Sequence, residues 1–266
     1  MATLELEERL DNLLSTAQTE TVDIDLFAPI AEREECPICL LTIPIDPRQV
    51  VFMHCCGKQI CKGCIYQNTM NTIKNKGRLV PEHEYKCAFC RQQAPNNYIK
   101  ALRKLMKKNN SEAFRLMAIK YKSGDGVFQS DTRTIEMLIR AAELGDADAY
   151  TDIGTHYEQG FVVKQDQTKS LAFYEVAAKK GSIKAHRYLA ICHARNDNIQ
   201  ESIKHLKVAA SAGDQDSMDK LMIAYKDKLL SKEDLTNTLR SYQASSNEMK
   251  SKDRDEANTI PESNRI

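Results

Sequence analysis

The sequence contains no tryptophan, and aromatic residues make up only 6% of it. So thin an aromatic supply suits helices packed through alanine and leucine, and argues against a β-sandwich, whose strands favour aromatic and β-branched side chains. A charge excess is also missing, since the formal net charge is +1. Dedicated nucleic-acid binders usually carry a large basic excess, so no nucleic-acid partner is expected. No stretch approaches the roughly 18–20 apolar residues that cross a bilayer, so no membrane span is expected either. The start, Met1 to Arg9, is acidic and polar and lacks the apolar centre of a secretory leader. These absences lead to an intracellular protein, cytoplasmic rather than nuclear. Thiols there stay reduced, and paired cysteines point to metal rather than to disulfides.

What is present fits two domains. The chain has 266 residues, 28% charged and 42% hydrophobic, enough for a buried core. Its charge is uneven. Residues 1–35 hold ten acidic residues against Arg9 and Arg33. The same arm carries Leu4, Leu6, Leu10, Leu13 and Leu14, an apolar set that could pair with itself, with the rest of the chain or with another chain. Lys100, Arg103, Lys104, Lys107 and Lys108 read as a solvated helix face, with a phosphate-binding patch as the sharper alternative.

From about residue 111 the chain repeats itself. Ala113, Ala149 and Ala185 are 36 residues apart, and Ser217 follows 32 residues later. Tyr121, Tyr157, His193 and Tyr225 keep the same steps, and Ala141-Ala142 recurs as Ala177-Ala178 and Ala209-Ala210. Each alanine pair precedes a glycine: Gly145, Gly181, Gly213. Within one unit, Ala149–Glu158 reads as a first helix broken by Gly160. Gln167–Lys180 reads as a second, closed by Gly181 in the left-handed conformation that glycine tolerates. Such a helix pair cannot bury its apolar face alone, so units stack and offer an extended concave surface to a peptide or protein. The third unit has a shorter turn, Asn196-Asp197-Asn198. After it, Ser217–Asp227 and Lys232–Met249 form a last pair, with Leu235, Leu239 and Tyr242 on one face and Ser231 with Asp234 as a cap. Cys192, among Leu189, Ala190 and Ile191, reads as a buried thiol rather than a nucleophile.

The other eight of nine cysteines lie between residues 36 and 90 as Cys36/Cys39, Cys55/Cys56, Cys61/Cys64 and Cys87/Cys90. Two residues between cysteines make a tight turn that aims both sulfurs at one point. Two such pairs supply the tetrahedral four-sulfur shell that Zn²⁺ favours. Eight sulfurs imply two ions. Closed shells leave no place for water, so both ions are structural, and the segment should depend on them to fold. An iron–sulfur cluster is the alternative occupant. A single thioredoxin-like redox pair does not account for four pairs.

Two resemblances follow from these residues. Ala149-Tyr-Thr-Asp-Ile-Gly154-Thr-His-Tyr157-Glu-Gln-Gly160, Tyr121-Lys-Ser-Gly124-Asp-Gly126-Val127 and the recurring Ala-Ala-x-x-Gly resemble Sel1-like repeats, relatives of the tetratricopeptide repeat. The order of cysteine pairs resembles a RING finger. That resemblance implies a cross-brace, with Cys36, Cys39, Cys61 and Cys64 on one zinc and Cys55, Cys56, Cys87 and Cys90 on the other. The usual central histidine position falls on Lys58, and the run His54-Cys55-Cys56-Gly57 resembles the all-cysteine variants, leaving His54 as an alternative to Cys55. A finger followed by such repeats resembles RING/Sel1-repeat proteins of marine algae such as diatoms. The implied activity is that of an E3 ubiquitin ligase, which binds a ubiquitin-charged E2 and recruits a protein substrate through the repeats. The implied E2 contacts are Ile38, Ile65, Arg91 and Pro95, with Tyr66 beside Ile65. A non-catalytic zinc-binding adaptor is the competing expectation. The expected architecture is mostly α: an acidic arm (1–35), a zinc-stabilised cross-brace module (36–95), a basic linker or helix (96–110), an α/α solenoid of helix pairs (111–230), a capping helix (231–255) and a flexible tail (256–266).

Overall fold

The computed structural model describes residues 2–30, 33–78 and 85–259. The chain divides into two compact units, one of residues 1–32 with 106–244, the other of residues 33–105 with 245–266.

The first unit is helical. An N-terminal helix, α1 (Ala2–Glu20), is followed by the pairs α4 (Ser111–Ser123) with α5 (Asp131–Glu143), α6 (Ala147–Gln159) with α7 (Gln167–Lys179), and α8 (Ile183–Arg195) with α9 (Ile199–Ser211). A further pair, α10 (Gln215–Lys226) and α11 (Lys232–Glu248), comes after them. The period has a physical basis at each recurring position. Ala113, Ala149, Ala185 and Ser217 are fully buried, where only a small side chain permits close helix approach. Three residues before each stands an N-cap, Asn110, Asp146, Ser182 and Asp214, whose side chain accepts a hydrogen bond from the backbone N–H of that small residue. The glycines after the alanine pairs take φ of +90° (Gly145), +93° (Gly181) and +99° (Gly213), ending each second helix in the left-handed region. In the third unit the glycine-bearing turn is replaced by Asp197 at φ +58°, a tighter turn made possible by a residue that tolerates this conformation.

The acidic arm packs against the repeats. Leu6, Leu10, Leu14 and Ala17 enter one core with Ile135, Leu138 and Ile139 of α5 and Phe173, Tyr174 and Ala177 of α7. Its charged flank pairs outward, Lys169 with Asp11 and Lys180 with Glu20. The chain after α1 continues along the second helices, where Phe27 packs on His205 of α9 at 4.9 Å between ring centroids. Leu235, Leu239 and Tyr242 of α11 pack against a smaller cluster that includes Leu206, Met218 and Leu221. The Ser231 hydroxyl accepts from the Asp234 N–H at 3.0 Å and donates to its carboxylate.

The second unit holds the cysteine pairs. A short hairpin, β1 (Val50–Met53) and β2 (Lys58–Cys61), runs antiparallel with Val50 opposite Cys61 and Met53 opposite Lys58. It leads directly into α2 (Lys62–Lys76). A helix α3 (Tyr98–Met106) occupies the stretch expected as a basic linker or helix. Beyond α11, which ends at Glu248, Lys252–Asn258 forms a separate helix, α12, capped by Ser251 and packed on α2; it spans the boundary between the expected capping helix (231–255) and tail (256–266). Burial of Arg254 and Ala257 holds it there. The rest of the expected tail, from residue 260, lies outside the described residues.

Candidate metal centre

Two pairs of cysteines sit on matching turns. In Cys36-Pro-Ile-Cys39 the Leu40 N–H bonds to the Cys36 carbonyl at 2.9 Å, and the Cys36 N–H to the Leu41 carbonyl at 3.0 Å. In Cys87-Ala-Phe-Cys90 the corresponding bonds, Arg91 to Cys87 and Cys87 to Gln92, measure 3.1 and 2.8 Å. Leu40 and Arg91, each just after the second cysteine, take φ of +57° and +61°. A β-bridge flanks each turn, Glu35 with Thr42 and Lys86 with Gln93. The strained conformation turns the chain back so that both sulfurs face inward.

The hairpin and helix supply the remaining thiols. Cys55 and Cys56 lie in the turn between β1 and β2, closed by the Gly57 N–H on the Met53 carbonyl at 2.7 Å. Cys61 ends β2, and Cys64 lies in the first turn of α2. The eight thiols thus gather into two groups, Cys36, Cys39, Cys61, Cys64 and Cys55, Cys56, Cys87, Cys90, each compact enough to hold a metal ion. The groups interleave along the chain. His54 belongs to neither; its ring lies edge-on to Phe52 and Tyr98.

The donor sets fit a four-thiolate ion. Zn–S bonds near 2.3 Å in a tetrahedron require sulfur–sulfur edges of about 3.8 Å. Sγ separations are 3.8 Å for Cys36–Cys64 and Cys39–Cys61, 3.9 Å for Cys56–Cys87 and 3.4 Å for Cys55–Cys90. Without an ion the thiols are perturbed in both directions. Burial, joined by the neighbouring Cys87 thiolate and opposed by the Lys58 backbone N–H, pushes the Cys56 thiol up to about 11. Burial and the adjacent thiols likewise raise Cys55 and Cys64. Cys36 moves the other way: burial would raise it, but backbone N–H groups of Cys39, Cys61 and Ile38 bring it down to about 7. Four sulfurs this close repel one another as thiolates, and a divalent cation would let them coexist and displace their protons.

The other expected residues lie around these groups. Ile38 projects from the first turn at 39% exposure, and Phe89 holds the same position in the second turn, also exposed. Arg91 is exposed, and its Nη1 donates to the Asn68 side-chain oxygen on α2 at 2.8 Å. Pro95 is half-buried. Ile65 is half-buried and packs into the small core around Ile60. Leu40 and Met70 add exposed apolar surface to this unit; their types are unremarkable in the sequence, and only the fold leaves them uncovered. Cys192 is half-buried against the repeat core rather than fully enclosed, and burial raises its thiol pKa.

Comparison with known proteins bears on the repeats. Residues 111–146, 147–182 and 184–214 match the Sel1 repeat family, so the helical solenoid is one of Sel1 repeats. The cysteine segment matches no RING family model. Among solved structures the chain is similar to a Sel1 repeat protein from Oxalobacter formigenes, 26% identical over 68% of this chain and 71% of that one, with a TM-score of 0.48. It is also similar to c5321, a protective antigen of uropathogenic Escherichia coli with an SLR fold, 22% identical with a TM-score of 0.47. That match covers 58% of this chain and spans about a third of that chain, 34%. No curated protein matches the chain, and the likeness to algal finger-and-repeat proteins has no support there.

Proposed function

We propose that this protein is a RING-type E3 ubiquitin ligase whose finger holds two structural zinc ions and a ubiquitin-charged E2, and whose Sel1 repeats recruit a protein substrate. The observation that carries the reading is the interleaving of two four-thiol groups on paired turns, one of which presents Ile38 to solvent. In this reading Cys36, Cys39, Cys61 and Cys64 hold one ion and Cys55, Cys56, Cys87 and Cys90 the other. Zinc supplies folding energy and no chemistry, because a four-thiolate shell is closed.

Catalysis then rests on orientation. Ile38 and Ile65 offer apolar contact to the E2, and Pro95 shapes the second loop. Arg91 spends one nitrogen on Asn68 and keeps further donors for an E2 and its ubiquitin, a use of the planar guanidinium that lysine cannot copy. Holding the thioester-linked ubiquitin in a reactive pose lowers the barrier by removing orientational freedom. Sel1 repeats imply protein–protein interaction, and substrate recruitment is the role proposed for them here. Since α1 already covers part of the second-helix row, the first helices are the surface proposed for that partner.

The test is a ubiquitination assay with a panel of E2 enzymes on zinc-loaded protein. Chains that form with wild type and disappear with Ile38→Ala, while two zinc ions and helical content persist, support the ligase. Two bound ions with no activity across the panel and no E2 binding favour the adaptor instead.

A further inference from the structure

Arg254 of α12 is 3% exposed, a rare condition for an arginine. Its guanidinium is aimed into the first cysteine turn. Nη1 donates to the Thr42 carbonyl at 2.7 Å and to the Met249 carbonyl at 2.6 Å. Nη2 donates to the Leu41 carbonyl at 3.3 Å and to Cys39 Sγ at 3.5 Å. The helix that carries it could not come so close to α2 over an ordinary side chain. A Cβ on Gly63 would lie 2.8 Å from Arg254 N and 2.9 Å from its Cγ. Gln67, one turn further along α2, donates to Asp253 at 3.0 Å. Gly63, Gln67, Asp253 and Arg254 therefore form a fitted contact between α2 and α12.

The chemistry explains why a cation sits there. A divalent ion with four thiolates carries a net charge of −2, and burying it costs free energy unless nearby donors spread the charge. An arginine N–H on a thiolate is a charge-assisted bond, and the guanidinium's remaining donors lock the carbonyls of the same turn. At the second group, by contrast, the N–H groups of Phe89 and Cys90 on Cys87 Sγ are backbone donors without charge.

We infer that α12 is an integral part of the finger and that Arg254 is a positioning and charge-balancing residue of the Cys36, Cys39, Cys61, Cys64 site. Metal retention at that site then depends on a side chain 215 residues beyond the ligand it touches. The inference rests on the two-zinc reading but not on ligase activity.

The experiment uses the full chain loaded with zinc, challenged with a chelator and pulsed with an alkylating reagent, each cysteine being followed by mass spectrometry. With Arg254→Ala, the thiols of Cys36, Cys39, Cys61 and Cys64 should become reactive roughly tenfold faster, the scale of losing a residue that supports a metal ligand, while the other four keep the wild-type rate. Arg254→Lys, which retains the charge and loses the fork, should fall between. Gly63→Ala, which wedges α12 away without removing a charge or a ligand, although it lies between Cys61 and Cys64, should reproduce the selective loss. Equal rates for all eight thiols in wild type and Arg254→Ala overturn the inference, as does uniform acceleration of both groups in the Arg254 and Gly63 variants. A wild-type chain that binds fewer than two zinc ions instead overturns the metal reading beneath it.

Discussion

The packing of α1 on the repeats can be tested at one side chain. Leu10 is 0% exposed and sits among the α5 and α7 core residues, whereas Leu4 on the same helix is 70% exposed. Truncating a buried leucine to alanine loses its transfer free energy and leaves a partly unfilled cavity, together about 2–5 kcal/mol. Alanine returns at most a few tenths through its better helix propensity. Because α1 lies on the repeats rather than inside them, some collapse into the space is possible, which favours the lower part of that range, about 2–3 kcal/mol. For a unit of this size each kcal/mol moves Tm by about 2–4 °C, so Leu10→Ala should lower the melting of the helical repeats by roughly 4–12 °C. Leu4→Ala should stay within about 0.5 kcal/mol of wild type. Melting followed by circular dichroism in excess zinc reads both. Hydrogen exchange adds a local readout, with α5 and α7 amides exchanging faster in Leu10→Ala. If Leu10→Ala melts with Leu4→Ala, and α5 and α7 keep their protection, α1 is not part of the repeat core and the reasoning fails.

Acid should destabilise the repeats early. Burial first, with Lys122 adding to it, brings His156 down to about 4. Burial brings His186 to about 4. Burial, then His186, His193 and Lys204, brings His205 to about 3. All three lie below the unfolded value of about 6.5, so the unfolded chain binds protons first. Stability is complete above about pH 6.5 and falls as pH drops towards the folded values, by about 2 kcal/mol per histidine at pH 5. His186 and His205 face each other Nδ1 to Nδ1 at 3.1 Å, an arrangement that needs one of the two nitrogens to be unprotonated. Urea midpoints in excess zinc that stay level between pH 7 and pH 5 would contradict this. Gly154→Ala tests close packing between α6 and α7. The new Cβ would fall 2.7 Å from the ring of fully buried Tyr174 and 3.2 Å from the Ser170 carbonyl. Overpacking of about 1–3 kcal/mol should exceed the roughly 1 kcal/mol gained in helix propensity, so a stabilised variant in chemical denaturation refutes the clash.

Much of this was legible in residue order because its cause is local. The two-residue spacing makes the same turn at Cys36/Cys39 and Cys87/Cys90, whereas at Cys61/Cys64 it spans the end of β2 and the first turn of α2, because the hairpin runs straight into the helix. The recurring small residue, alanine pair and glycine each answer a constraint inside one helix pair. The N-caps Asn110, Asp146, Ser182 and Asp214 went unread, although each is a polar residue three positions before a buried small residue that could have marked the helix start. Helix α12 was not legible in the same way. Its stretch has little apolar content to mark a buried face, and its anchor is an arginine, a residue that ordinarily signals solvent. The one clue is Gly63, a glycine in the first turn of α2 where no turn or cap requires it.

By itself, then, the sequence determined the period of the repeats, the matching turns of Cys36/Cys39 and Cys87/Cys90 and the helical character of most of the chain. Neighbouring residues supply the hydrogen bonds, caps and small side chains that those features need. The tertiary structure alone decided that the leucines of α1 face α5 and α7 and that Arg254 reaches Cys39. Each of these depends on which surface a distant segment finds complementary in shape and charge. An apolar stripe or a lone cation has many acceptable partners until the fold leaves it one.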